Sequence, residues 1–316
     1  MPLIKLLLIA AALFGGVAHA NDRVHVGKAQ GTAWVFLPID IGVEQGLFAK
    51  QGIDIEIANL TGDAKLQQAI ASNSIELGLG SGPGMAFAAK GSGALGVAAF
   101  GGPPNSIAAI VLRDSSIQKI ADLKGKTIAV STTGSLSDWL AKQMAIQEGW
   151  GQDGIRAAPL GAIPTSIAAL KARQVDAVVL ATEAGYRLEE LNEGRVLTTM
   201  DRYAPHFITE VIFAQKTLVA SNPELVKRFL QGFFETIAFM KTHKAETSRA
   251  AERVLHFSPT LANKVYDLEI GMLLDDGQFD PRAVATLKRS YLEMKTLHTE
   301  PADSELFTTQ FVPVKK

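Results

Sequence analysis

Cysteine is missing from all 316 residues. Its absence excludes disulfide staples and thiolate metal sites. A basic excess is missing too: 31 Lys and Arg stand against 32 Asp and Glu, a net charge of −1. Proteins that hold nucleic acid or anionic lipid by charge carry a basic face, so neither is expected as a partner. Long apolar runs are scarce, and no segment is low-complexity. The one candidate, residues 6–17, is about a dozen residues, short of the roughly 20 that a membrane-spanning helix needs.

That run has Lys5 ahead of it and Ala18-His19-Ala20 behind it, the pattern of a cleavable export leader. With no Cys after the cleavage site there is no residue to take a lipid. A soluble protein exported to the periplasm and beginning at Asn21 is expected. Loss of Lys5 moves the net charge from −1 to −2, and 296 of the 316 residues remain. A chain of that size exceeds one ordinary hydrophobic core and implies two domains.

Catalytic signatures are also few. Gly125-Lys126-Thr127 has the end of a phosphate-binding P-loop, but Ile120 stands where its first Gly belongs and a strand follows instead of preceding. Gly91-Ser92-Gly93-Ala94-Leu95-Gly96 matches a dinucleotide fingerprint in letters, yet it leaves a helix and enters a strand, the reverse of the required order. No Ser sits in a G-x-S-x-G elbow. The histidines after the leader, His25, His206, His243, His256 and His298, show no metal-ligand spacing. The acidic run 275–280 has the wrong spacing for a calcium loop. No catalytic residue, metal or cofactor is expected.

What is present is alternation. Short β-rich runs at 24–29, 53–58, 75–79, 94–100, 107–112, 127–130, 155–160, 175–180, 196–199 and 208–214 are separated by helical patterns, which predicts an α/β fold with largely parallel sheets. After Asn222-Pro223, a helix cap followed by Pro at the first turn, only helices are expected. Residues 44–53 and 147–155 echo each other, Glu-Gln-Gly-Leu-Phe against Gln-Glu-Gly-Trp-Gly, and each is followed by a strand, a helix and a strand. Two similar βαβαβ halves fit this, with 113–126 as a linker.

The strand ends share a style. They lead into Gln30-Gly31-Thr32-Ala33-Trp34, Gly80-Ser81-Gly82-Pro83, Ser131-Thr132-Thr133-Gly134-Ser135, Gly161-Ala162-Ile163-Pro164-Thr165 and Ala181-Thr182-Glu183. Ligands of open α/β sheets sit beyond the carboxyl ends of the strands, where helix N-termini offer free amides. In 131–138 the pair Ser135 and Asp138 reads as a capping box. That leaves Ser131, Thr132 and Thr133 as a cradle for a small oxyanion.

The chain resembles the periplasmic solute-binding proteins of ABC importers, in the nitrate/sulfonate/taurine branch related to thiamine-precursor-binding proteins. The resemblance lies in Gly42-Val43-Glu44-Gln45-Gly46-Leu47-Phe48, Ile75-Glu76-Leu77-Gly78, Ala121-Asp122-Leu123-Lys124-Gly125-Lys126-Thr127, Ala169-Leu170-Lys171-Ala172-Arg173-Gln174-Val175-Asp176 and Asn222-Pro223-Glu224-Leu225. It implies a bilobed type II fold, lobe I being 21–111 with 204–316 and lobe II 112–203. The crossovers would lie near 110–113 and 202–209. A ligand closes the lobes, and the closed monomer delivers it to a membrane permease driven by an ATPase. The pocket positions implied are Thr32, Ala33, Trp34, Ser81, Gly82, Phe100, Gly101, Ser131, Thr132, Thr133, Thr165, Thr182, Glu183 and Thr209. At 181–183 Ala-Thr-Glu stands where the resemblance implies an aromatic-containing stretch, which counts against a plain alkanesulfonate. Glu183 either serves the N-terminus of its own helix or faces the cleft, and in the second case it calls for a ligand that carries an amino group besides its oxyanion. An enzyme of the thiamine-pyrimidine-synthesis type on the same fold, and a sensory module presenting ligand to a receptor, are the competing readings.

Overall fold

The computed structural model describes residues 21–315; the leader expected at 1–20 lies outside them. Its strands are β1 (Asp22–Lys28), β2 (Ile53–Asn59), β3 (Leu77–Ser81), β4 (Ala94–Gly101), β5 (Ile107–Leu112), β6 (Thr127–Val130), β7 (Arg156–Pro159), β8 (Ala177–Ala181), β9 (Gly194–Thr199) and β10 (Glu210–Gln215). Each expected strand is found, with ends displaced by no more than two residues. β10 is buried at every position, as a strand covered on both faces must be.

The strands form two five-stranded sheets, β2-β1-β3-β10-β4 and β7-β6-β8-β5-β9. In the first, β1 runs parallel to β2 and β3, while β10 runs antiparallel to β3 and β4. In the second, β6 runs parallel to β7 and β8, while β5 runs antiparallel to β8 and β9. The second sheet thus repeats the first, with β5 standing where β10 does. The expected pair of similar halves is present, and each sheet's antiparallel strand follows directly on a change of sheet, β5 after β4 and β10 after β9.

This pairing corrects two boundaries. Ile107 is the Cα partner of Ala181 in β8, and Ile110 pairs with Val178 and Val196, so the chain changes sheet at 102–106 and not near 110–113. The apolar run decides this by hydrogen-bonding into the second sheet before the chain turns polar. The stretch 113–126 joins β5 to β6 inside that sheet and is no interlobe linker. Its short turn Ile120–Leu123 is held by Asp122, which accepts from the amides of Gln118 (2.8 Å) and Lys119 (3.1 Å).

The first sheet's connections carry α1 (Leu37–Glu44), α2 (Leu47–Lys50), α3 (Asp63–Ala71) and α4 (Met85–Ala89); the second's carry α5 (Leu136–Gln147), α6 (Ile163–Lys171) and α7 (Thr182–Glu190). After β10 come α8 (Lys216–Ser221), α9 (Pro223–Thr242), α10 (Lys244–Leu255), α11 (Pro259–Glu269), α12 (Pro281–Glu293) and α13 (Asp303–Leu306). Asn222 caps α9 as expected, its side chain accepting from the amide of Leu225 at 3.2 Å. Phe229, Phe233 and Phe234 of α9 are fully buried. Phe100 packs against Phe233 with ring centroids 5.2 Å apart, so it belongs to the core and walls no cleft. No described helix is long and apolar enough to cross a membrane.

Candidate functional site at the seam between the sheets

On the first sheet, β3 ends at Ser81, whose amide and hydroxyl donate to the two oxygens of Asp63 at 2.8 and 2.6 Å. Glu210 opens β10 directly opposite Ser81 and Gly101. A side chain at Gly101 would stand 2.7 Å from Cγ of Glu210, so glycine there makes room for that carboxylate. The amide of Thr209 donates to Gly101 O at 3.0 Å and its hydroxyl to Gly102 O, which fixes the returning crossover. Gly82 meets that crossover so closely that a Cβ would lie 2.0 Å from Ile208 O.

On the second sheet, β8 runs straight into α7, and Thr182 and Glu183 fall at the turn. Gly185 lets α7 lie close to the strands, since a Cβ there would come within 2.6 Å of Val196 and 2.9 Å of Ile110. Thr182 and Glu183 then reach across the seam. Glu183 Oε1 accepts from the amide of Trp34 at 3.1 Å, and the Thr182 hydroxyl donates to Glu269 Oε1 at 2.8 Å. Trp34 is fully buried, edge-on to Tyr266 with centroids 6.3 Å apart. The residue expected to face the cleft or to serve its helix, Glu183, faces the seam.

The seam is unusually acidic for its burial. Glu183, Glu210 and Glu269 are 8, 6 and 0% exposed, and Oε2 of each has no hydrogen-bond partner; neither has the indole Nε1 of Trp34. Burial pushes all three carboxyls above the ordinary glutamic value of 4.5; the charges of Asp63, Glu269 and Glu183 add to it at Glu210, and that of Glu183 adds to it at Glu269. An amide bond from Trp34 and the charge of Arg187 offset part of this for Glu183. Arg187 itself lies exposed over the ring of Phe257. The only buried base among the described residues, Lys28, is bound to Asp40 at 2.9 Å. No described group of three or more His, Cys, Asp or Glu is placed to hold a metal ion.

Other expected positions lie differently. Thr32 and Thr165 are exposed, on a turn and on α6, and Ala33 is half-buried beside Trp34. The hydroxyl of Ser131 donates to Ser135 at 2.9 Å, and its amide donates to Ser137 at 2.9 Å. Ser135 caps α5 as expected, but Asp138 accepts from Gly134 (2.8 Å) and binds Lys142 (2.8 Å). The free hydroxyl cradle is therefore spent on the cap at Ser131 and open to solvent at Thr132 and Thr133. Glu210, Glu269 and Tyr266 were missed in the sequence. The signal for Glu269 was there: it continues the apolar face Leu261, Ala262, Val265 and Tyr266 of α11, a place where periodicity calls for a hydrophobe.

The family described as NMT1/THI5 like matches residues 34–247, well over half of the chain and the whole of the second sheet. The chain belongs to that family. A binding protein of Brucella abortus is 27% identical over 194 residues, 60% of this chain and 58% of that protein. The match thus spans less than two thirds of the relative's length. In fold, the alkanesulfonate-binding protein SsuA from Xanthomonas axonopodis pv. citri, bound to MOPS, is similar with a TM-score of 0.74 and 16% identity, covering 92% of this chain and 98% of that one. A cysteine-to-serine mutant of DSZB in complex with biphenyl-2-sulfinic acid is similar with a TM-score of 0.66 and 16% identity, over 92% and 97%. The bilobed periplasmic-binding-protein fold is common to a binder and an enzyme.

Proposed function

We propose that the protein is the extracytoplasmic solute-binding component of an ABC importer, which takes a small organic solute between its two lobes and carries it to a permease and its ATPase. In this reading lobe I is 21–101 with 210–315 and lobe II 107–199, the first twenty residues direct export to the periplasm, and the protein works as a monomer. One observation carries the proposal. The carboxylate of Glu183, borne on the second sheet, accepts the amide of Trp34 on the first, while its other oxygen is buried and without a partner. A site made from both lobes responds to a ligand by its differential contacts with the closed form.

A buried carboxylate needs a donor, so the ligand brings an amino group to Glu183 and its body against Trp34, with Thr182 and Thr209 in the wall and Thr132 and Thr133 at the mouth. Family membership and the SsuA-like fold support capture over catalysis. The DSZB likeness keeps the fold open to chemistry, but this chain has no cysteine.

The test is native mass spectrometry of protein isolated from the periplasm, followed by small-angle scattering with the co-purified compound removed and restored. A bound small molecule and a smaller radius of gyration on restoring it are expected. An unchanged scattering profile at saturation removes the cleft reading.

A further inference from the structure

Counting charge through the interior shows a surplus that the proposed capture of an amine at Glu183 does not absorb. Four acids are buried among the described residues, Asp138, Glu183, Glu210 and Glu269, against one base, Lys28. Asp138 has Lys142, and Lys28 has Asp40. None of Glu183, Glu210 and Glu269 forms an ion pair, exposed Arg187 acting on Glu183 only by its charge, and each keeps one buried oxygen without a hydrogen bond. They come from three elements and both sheets: the start of α7, the start of β10 and the last turn of α11. Thr182, bonded to Glu269, is the chain neighbour of Glu183, so the two acids meet across the seam.

Three buried carboxyl groups that each leave an oxygen without a hydrogen bond cost more than a fold retains without a reason. A single ammonium group answers one of them. We infer that the seam selects an organic cation with at least two separated protonatable nitrogens, one held by Glu183 and another by Glu210 and Glu269. The rings of Trp34 and Tyr266, edge to face at 6.3 Å, give the carbon chain or ring between those nitrogens an apolar wall. The unpartnered Trp34 Nε1 leaves a donor for one acceptor on the same ligand. This inference rests on the solute-capture reading and goes further, to the ligand's charge class.

The experiment is calorimetric titration of the whole exported protein with straight-chain diamines from propane to hexane, with the matched monoamines, and with taurine, near neutral pH. At least one diamine is expected to bind tenfold or more tighter than its monoamine, which is about 1.4 kcal/mol. Glu210→Gln is expected to erase that advantage while leaving monoamine affinity within about twofold, and Glu269→Gln serves as the second variant should the first fold poorly. Equal affinity for mono- and diamines, binding of taurine alone, or no loss in either variant overturns the inference. In those cases a co-purified solute that still closes the lobes in scattering leaves the importer reading standing, whereas no closure with any solute takes both down.

Discussion

Glu210 shows what a residue out of place can report. It begins a strand whose next members, Val211, Ile212, Phe213 and Ala214, are all fully buried, and it is faced by Asp63, Glu183 and Glu269 with no base among them. Burial raises its pKa well above 4.5, so the native state binds a proton that the unfolded chain releases. The contribution of such a group is complete below about pH 4.5 and is lost as pH rises through its elevated value. Glu210→Gln mimics the protonated form at every pH. Its melting temperature is therefore expected to match the parent near pH 4.5 and to exceed it by a few degrees near pH 8, a gap that scanning fluorimetry across that range measures. A gap of the opposite slope removes the assignment. At the other lobe, Glu183→Gln is expected to cost an amine ligand tenfold or more while leaving an amine-free analogue unaffected. These acids were hidden from a reading that searched for sites at strand ends and in loops, since Glu269 lies at the end of a helix and Glu210 begins a strand that looks like plain core. Glu183 was legible because it followed a strand directly.

Elements were easier to read than their contacts. Alternation of apolar runs with helical spacing located all ten strands, because period and β-branched content act locally. Which sheet a strand joins is settled by partners far along the chain, so 107–112 was assigned to the wrong side of a crossover. The loop 131–138 teaches the same lesson. Its polar residues were read as ligand donors, but a helix start has its own unsatisfied amides, and Ser131, Ser135 and Ser137 satisfy one another there. Ser135→Ala is expected to cost about 1 kcal/mol of stability and Ser131→Ala less, with ligand affinity unchanged in both, by denaturant titration and calorimetry. Gly82 sets a harder limit. With Ile208 O 2.0 Å from the position of a Cβ, Gly82→Ala is expected to destabilise by about 1–3 kcal/mol through overpacking against backbone, and a melting temperature equal to the parent's contradicts that contact.

At the scale of the molecule, side chains join the helices of one sheet to those of the other. Lys264 of α11 binds Glu189 of α7, Ser258 binds Glu190, and Trp139 Nε1 donates to Glu293 at 2.7 Å. The first two lie at the surface, where such contacts are worth about 0–1 kcal/mol, so they add little to the hold of one half on the other. Lys264→Ala is expected to leave the melting temperature within about a degree and to increase the radius of gyration of the ligand-free protein, as scattering reports. The place of β10 in the first sheet has a further consequence, for synthesis on the ribosome. Every strand of the second sheet lies within 107–199, so that sheet is complete as soon as its own stretch has emerged. The first sheet has β10 between β3 and β4 and stays split, with both inner edges bare, until residues 210–215 arrive. Over that interval of synthesis the first hundred residues present unpaired edges that invite pairing with another chain. The half that begins first is thus the half that finishes last, and a nascent chain stalled before Glu210 is the form most exposed to aggregation and to chaperone capture.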